Sequence, residues 1–301
     1  MKNLPILLFF VLGVQGSVGQ ASFLPKDLHL RESDLPAGTA HIDQTQFNKI
    51  ISDLQNLYAP LAKQFNGNLN FLGEWNSDKI DAGSQQVLGY WIVRISGGLA
   101  RRPELIPDGV TLILCHELGH HFGGFPFEPN SPPIGAEWAA AEGQADYFST
   151  AVCARKIWAH DDQGNAAAAA VVNPVAKQSC DRVHSLQSDR NICYRANVGV
   201  QSIMNTMAVL LKKPMPDITT PDPSTVTKTF TDHPAVQCRM DTVYQGTLCA
   251  AHFNEALIPG KNVSAGVDSL DAEHEAAATS CMRSSGFTIG LRPDCWFAPR
   301  L

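Results

Sequence analysis

Three things are missing from this chain, and each absence removes a reading. After the first 21 residues no stretch reaches the roughly 18 apolar residues that a membrane-crossing helix requires; the apolar run 166–172 is far too short. That leaves at most a peripheral association with a membrane. No dense basic patch is present. The formal charge is −6, the basic residues are scattered, and the Arg101-Arg102 pair reads as a solvated turn. Nothing here is a footprint for nucleic acid. No internal repeat is visible, so the chain is not an array of small units.

What is present begins with a leader. Lys2 supplies a basic start, residues 4–14 are apolar apart from Gly13, and Gly19-Gln20-Ala21 offers a small-x-small cleavage site. The expectation is a signal peptide over 1–21 and an exported protein, periplasmic or secreted; the alternative is an uncleaved anchor. No cysteine lies near that cut, which argues against a lipid anchor. The eight cysteines are an even number, as a disulfide framework in an exported chain requires. Eight allow 105 connectivities. The nearest pairs are Cys180 with Cys193, Cys238 with Cys249, and Cys281 with Cys295. Cys115 and Cys153 remain, as buried thiols or as a bond between them. With 301 residues and 44% hydrophobic content, the chain can bury a sizeable core as one large domain or one domain with appendages.

The pentad His116-Glu117-Leu118-Gly119-His120 carries most of the chemical information. Two histidines four apart share one face of a helix and can hold one Zn²⁺, and the glutamate between them is placed to act as general base on a water. The preceding run 110–115 is almost wholly apolar, as in a helix buried at a protein centre. Asp108 is a candidate N-cap and Gly123-Gly124 a C-terminal stop, for a helix of roughly 14 residues. Cys115 precedes His116 directly, so it points about 100° away around the helix and is no ligand. His121 points to another face in the same way. The bland alternative is a core helix with two satisfied histidines; apolar helices rarely carry His, Glu and His without a task.

A catalytic zinc needs a third protein ligand and an open fourth position. The candidate is Glu142, on a second helix with Ser131-Pro132 at its start. Glu137 is the rival. Glu142 is preferred because Asp146 lies one turn further along the same face, where it can accept the free N–H of a metal-bound imidazole; Glu137 has only Ala141 there. His41, His160, His184, His252 and His274 have no partner at ligand spacing. Asn262-Val263-Ser264 is a glycosylation acceptor if the host glycosylates exported proteins.

His-Glu-Leu-Gly-His followed by Glu142-x-x-Ala145-Asp146 resembles the gluzincin metallopeptidases, and within them the family of HtpX, BepA and the CAAX prenyl protease. Tyr90-Trp91-Ile92-Val93-Arg94-Ile95-Ser96-Gly97-Gly98-Leu99 is similar to that family's strand and Gly-Leu turn, and Glu104-Leu105 then leads to the pentad at about its spacing. Asp232-His233-Pro234 with Arg239 is similar to its Thr-His-Pro…Arg segment. The likeness covers roughly residues 85 to 245. Two departures stand out: Thr231-Asp232 replaces the family's usual Ser-Thr, and the several membrane spans of many members are missing, which favours a BepA-like arrangement. The resemblance implies an α+β, mostly helical, zincin-like catalytic domain with a small sheet packed on the pentad helix. It also implies that His233 or Arg239 donates to the oxyanion, or that His233 closes over the metal as a further ligand; the plain alternatives are that His233 caps the following helix and that Arg239 forms a surface or structural ion pair.

The expected organisation is a signal at 1–21, an N-terminal helical segment at 22–70 with an amphipathic helix over 44–65, a zinc domain at 71–255, and an extension at 256–301 stapled by Cys281 and Cys295. One or two strands are expected over 71–105, where an exposed edge could pair with an extended peptide. A helix is expected over 197–213 and a long Pro-, Thr- and Asp-rich loop over 214–231. The leading function is an exported zinc endopeptidase, with one zinc per chain, acting on protein or peptide substrates. The alternatives are a zinc-bearing periplasmic chaperone or assembly factor with minor proteolysis, and a purely structural zinc protein, in which Glu117 would have no purpose.

Overall fold

The computed structural model describes residues 20–25, 27–129, 137–251, 253–254 and 256–300. Within them the strands are β1 (Gln20–Ser22), β2 (Asn68–Glu74), β3 (Ala82–Val87) and β4 (Tyr90–Ser96). The helices are α1 (Gln44–Gln64), α2 (Gly97–Ala100), α3 (Pro107–Phe122), α4 (Glu142–Phe148), α5 (Ala154–Ile157), α6 (Asp162–Ala167), α7 (Pro174–Val183), α8 (Gln187–Leu211), α9 (Val236–Thr247) and α10 (Leu270–Glu275). The class is α+β. No helix among the described residues is long and apolar enough to cross a membrane.

The apolar run at 110–115 becomes the axis of the molecule. Every residue of α3 from Gly109 to Phe122 is buried, as a helix without a polar face must be. The sheet covers one side through β3 and β4, while α4 and α8 pack elsewhere around it. Strand order is β1-β3-β4-β2. A two-residue turn at Leu88-Gly89, both with positive φ, joins β3 to β4, the conformation that matches strand twist in tight hairpins. β2 runs parallel to β4, and β1 antiparallel to β3 on the outer edge. More strand is present than the one or two expected over 71–105, and β2 crosses the expected boundary at residue 70. β3 reads Ala-Gly-Ser-Gln-Gln-Val. Such a composition has little strand preference of its own and is extended because it is paired on both sides.

The ends of the two central helices differ from expectation. Pro107 takes the first helical position of α3, where its missing N–H costs nothing. Asp108 therefore sits inside the first turn and meets Arg195 of α8 at 2.9 Å. The second helix begins at Glu142; residues 137–141 are not helical, and Ser131-Pro132 lies outside the described residues. Ala140 bridges to Phe127, and the Glu128, Ala140 and Ala141 N–H groups bond to Ala139, His120 and Pro126 carbonyls. Those bonds use the backbone groups that a helix would need. The helix expected over 197–213 is longer, 25 residues from Gln187. Residues 214–231 hold no helix or strand, as their composition implies.

The cysteines form four pairs: Cys115–Cys153, Cys180–Cys193, Cys238–Cys295 and Cys249–Cys281. The expected pairs Cys238–Cys249 and Cys281–Cys295 are therefore incorrect. Cys238 lies in α9 and Cys249 just beyond its end. Eleven residues of helix put them about 16 Å apart, while a disulfide needs Cα atoms within about 7 Å. The tail instead clamps α9 at both ends, and Cys115–Cys153 ties α3 to the π turn (Ser149–Cys153) that extends α4.

α3 and α4 touch at Gly119, where a Cβ would stand 2.7 Å from the Ala145 Cα and 2.9 Å from its carbonyl. Neither atom can yield without moving α4. Gly119→Ala should therefore cost about 1–3 kcal/mol in denaturant unfolding. A loss below about 0.5 kcal/mol, the range of an ordinary surface substitution, would show that the helices have room to separate.

Candidate metal centre

The close approach at Gly119 brings three ligand-type side chains together. His116 and His120 project from consecutive turns of α3 with their Nε2 atoms 3.2 Å apart. Glu142, the first residue of α4, places Oε2 3.3 Å from His116 Nε2 and Oε1 3.7 Å from His120 Nε2. Atoms bonded at 2.0–2.2 Å to one tetrahedral ion stand about 3.3–3.6 Å apart. The separations fit one metal ion, and all three residues are buried. The other cluster of this type among the described residues, Asp222 with Cys238 and Cys295, has its sulfurs joined in a disulfide.

Each imidazole is oriented from behind. His120 Nδ1 lies 2.8 Å from the Ala140 carbonyl. A carbonyl only accepts, so Nδ1 carries the proton and Nε2 keeps its lone pair for a metal. His116 Nδ1 faces Asp146 Oδ1 at 2.8 Å. Asp146 in turn accepts from Arg239 Nε and Nη2, both at 2.7 Å. The extended backbone before α4 supplies the Ala140 carbonyl, so the displaced helix start has a consequence at the site.

Burial sets the electrostatics. It pushes His120 down to about 4, leaving a neutral imidazole. It opposes charge on His116 as well, but Asp146 and Glu142 prevail and push that ring up to about 9; a metal bound there displaces a proton. Burial also works against the Asp146 charge, which Arg239 and His116 restore, so its carboxyl stays below the usual range. Glu117 is pushed up to about 8 by burial, against the pull of His116 and Ser84. Ser84 Oγ on β3 lies 2.8 Å from Glu117 Oε2, whereas Glu117 Oε1 is buried without a hydrogen-bond partner.

The remaining candidates divide. His233 Nε2 stands 3.5 Å from Glu142 Oε2 and donates to the Ser22 carbonyl at 2.7 Å, with Asp232 2.8 Å from its Nδ1. Arg239 is buried behind Asp146, and its Nη1 donates to the Phe23 carbonyl at 2.7 Å. Glu137 is exposed and off the helix. His121 stacks between Trp91 and Trp138 and contacts Gln86 and the Ile92 carbonyl. His41, His160 and His274 are exposed, His184 bonds the Thr247 carbonyl, and His252 lies outside the described residues. Ser84, the Ala140 carbonyl and strand β1 join the site unannounced by the sequence. Only the fold brings them here, and none belongs to a residue type that marks a metal site. No protein-family model, no curated protein and no solved structure matches this chain.

The Asp146–Arg239 pair is fully buried. Arg239→Met leaves a lone carboxylate inside the protein and should cost about 3–5 kcal/mol in urea unfolding. Asp146→Asn together with Arg239→Met should cost clearly less than the sum of the single changes. Strict additivity would show that the two residues do not act as a pair.

Proposed function

We propose that this chain is an exported zinc endopeptidase of the gluzincin type, akin to the HtpX and BepA family. The observation that carries the reading is the convergence of His116, His120 and Glu142 beside Glu117. Three carboxylates (Glu117, Glu142, Asp146) are buried there with one guanidinium, Arg239. Burial keeps Glu117 protonated while His116 and Arg239 face the charges of Glu142 and Asp146, so a divalent cation bound by these side chains takes the place of the His116 proton. Two neutral or neutralisable imidazoles and one carboxylate are the donor set of a catalytic zinc rather than a closed structural one. The four disulfides fit an oxidising, exported setting.

His116, His120 and Glu142 would hold the ion. Bound there, zinc supplies Lewis-acid chemistry that makes water nucleophilic near neutral pH and polarises a carbonyl. The chain's own groups do the rest. Ser84 holds Glu117 Oε2, which leaves Oε1 free to take a proton from the attacking water and deliver it to the leaving amine. The water oxygen bonds to the carbonyl carbon, the C–N bond breaks, and the amine leaves protonated. A buried carboxylate whose proton affinity lies near neutrality suits both halves of that transfer. His233 Nε2, already directed at a peptide carbonyl, is the donor for the developing oxyanion. Arg239 acts through Asp146, by fixing the ring of His116.

Glu117→Gln separates this reading from a zinc-bearing chaperone. It should keep about one zinc per chain and lower chelator-sensitive casein hydrolysis by about 10²–10⁴-fold. His120→Ala should lose the zinc. Full hydrolysis in the Glu117→Gln protein, or a wild type that binds no zinc, would overturn the assignment. Asp146→Ala should weaken zinc binding by about 10–100-fold in a competition titration.

A further inference from the structure

The outermost strand lies across the proposed site. Residues 20–22 pair antiparallel with β3, with Ala21 opposite Ser84 and Ser22 opposite Gly83, and the Phe23 N–H extends the pairing to the Ala82 carbonyl at 3.2 Å. The Ser84 that faces Ala21 is the residue whose hydroxyl holds Glu117. The register of whatever pairs with β3 is therefore tied to the general base.

The next two carbonyls are each met by a basic side chain. Ser22 O accepts from His233 Nε2, which is itself 3.5 Å from Glu142 Oε2. Phe23 O accepts from Arg239 Nη1. The Phe23 ring stands edge-on to His116 with centroids 5.4 Å apart, lies beneath the Arg239 guanidinium at 4.8 Å, and is only 2% exposed. On the other side, Ala21 packs with Trp138 and Ala139. The segment is thus an extended peptide on a sheet edge, with one carbonyl on His233, which neighbours Glu142, and the following side chain buried against His116 and Arg239.

We infer that residues 20–24 of the uncut chain, and Ser22–Leu24 after the expected removal of 1–21, occupy the groove that receives the substrate. On the peptidase reading above, the substrate is an extended peptide paired with β3. Its scissile carbonyl takes the place of Ser22 O, and a large apolar side chain takes the pocket of Phe23. A small residue suits the position of Ala21. The chain's own strand competes for this groove, so turnover requires it to leave. Sheet edges recruit extended chains by main-chain pairing, and pockets for particular side chains then set the preference.

The test uses the full chain carrying Glu117→Gln, zinc-loaded, with the fluorescein-labelled peptide Gln-Ala-Ser-Phe-Leu-Pro. Adding Phe23→Ala or Phe23→Glu should tighten binding by about tenfold or more, because an occupied groove lowers apparent affinity by its closed fraction. A peptide with Asp in place of Phe should bind about tenfold more weakly. In the chain with its own Phe23, excess peptide should speed amide exchange of residues 21–24. Equal affinity in folded Phe23 variants, or unchanged exchange at 21–24, would overturn the inference; the exchange measurement decides if the variants misfold. Strand displacement without casein hydrolysis would sink the peptidase reading alone, and hydrolysis without displacement would sink only this one.

Discussion

Asp146 is the residue on which the arrangement of the site depends. It faces His116 at 2.8 Å and accepts two hydrogen bonds from Arg239, all inside the protein. A carboxylate is expensive to bury, and a pair of unlike charges is favourable there only when geometry and further hydrogen bonds are good. Arg239 meets that condition with a bidentate grip and a third bond to the Phe23 carbonyl. One interaction thereby joins α4 to α9, fixes the ring of His116 on α3, and reaches the N-terminal strand.

The rest of the framework holds those helices at the necessary distance. Gly119 lets α3 and α4 meet backbone to backbone, which sets how far Glu142 stands from the two imidazoles. The Cys115–Cys153 bond, one turn before Gly119 on α3, ties that helix to the π turn that extends α4. Two further bonds clamp α9 through the tail. Each such link is worth about 2–4 kcal/mol, chiefly by restricting the unfolded chain. Rigidity of this kind matters because ligands and their supports must be preorganised to within about 0.5 Å.

Motifs at fixed helical spacing are legible in the sequence. The pentad, the Glu142–Asp146 pair and the apolar run ahead of His116 follow from the geometry of one helix, in which sequence separation is spatial separation. The amphipathic helix expected over 44–65 matches α1 almost to its ends for the same reason. Features defined by partners are harder to read. β3 has a sequence with no strand preference and exists because neighbours pair with it on either side. The disulfides of α9 connect residues that the nearest-neighbour rule separates. Arg239 faces Asp146 rather than Glu117 or Glu142, and its closeness to His233 along the chain says nothing about which carboxylate it meets.

Residue identity and spacing already define the chemistry on offer: two imidazoles and a carboxylate on one helix, an acid pair on another, eight cysteines and an apolar N-terminal stretch. Residue type and local periodicity suffice for that, since both are encoded within a few turns. It takes the packed fold to bring Glu142 to the two imidazoles, Ser84 to Glu117, Arg239 to Asp146, and residues 20–23 along β3 beside the site. Those are contacts between segments far apart in the chain, and they are fixed by how a single buried helix can be covered on all sides at once.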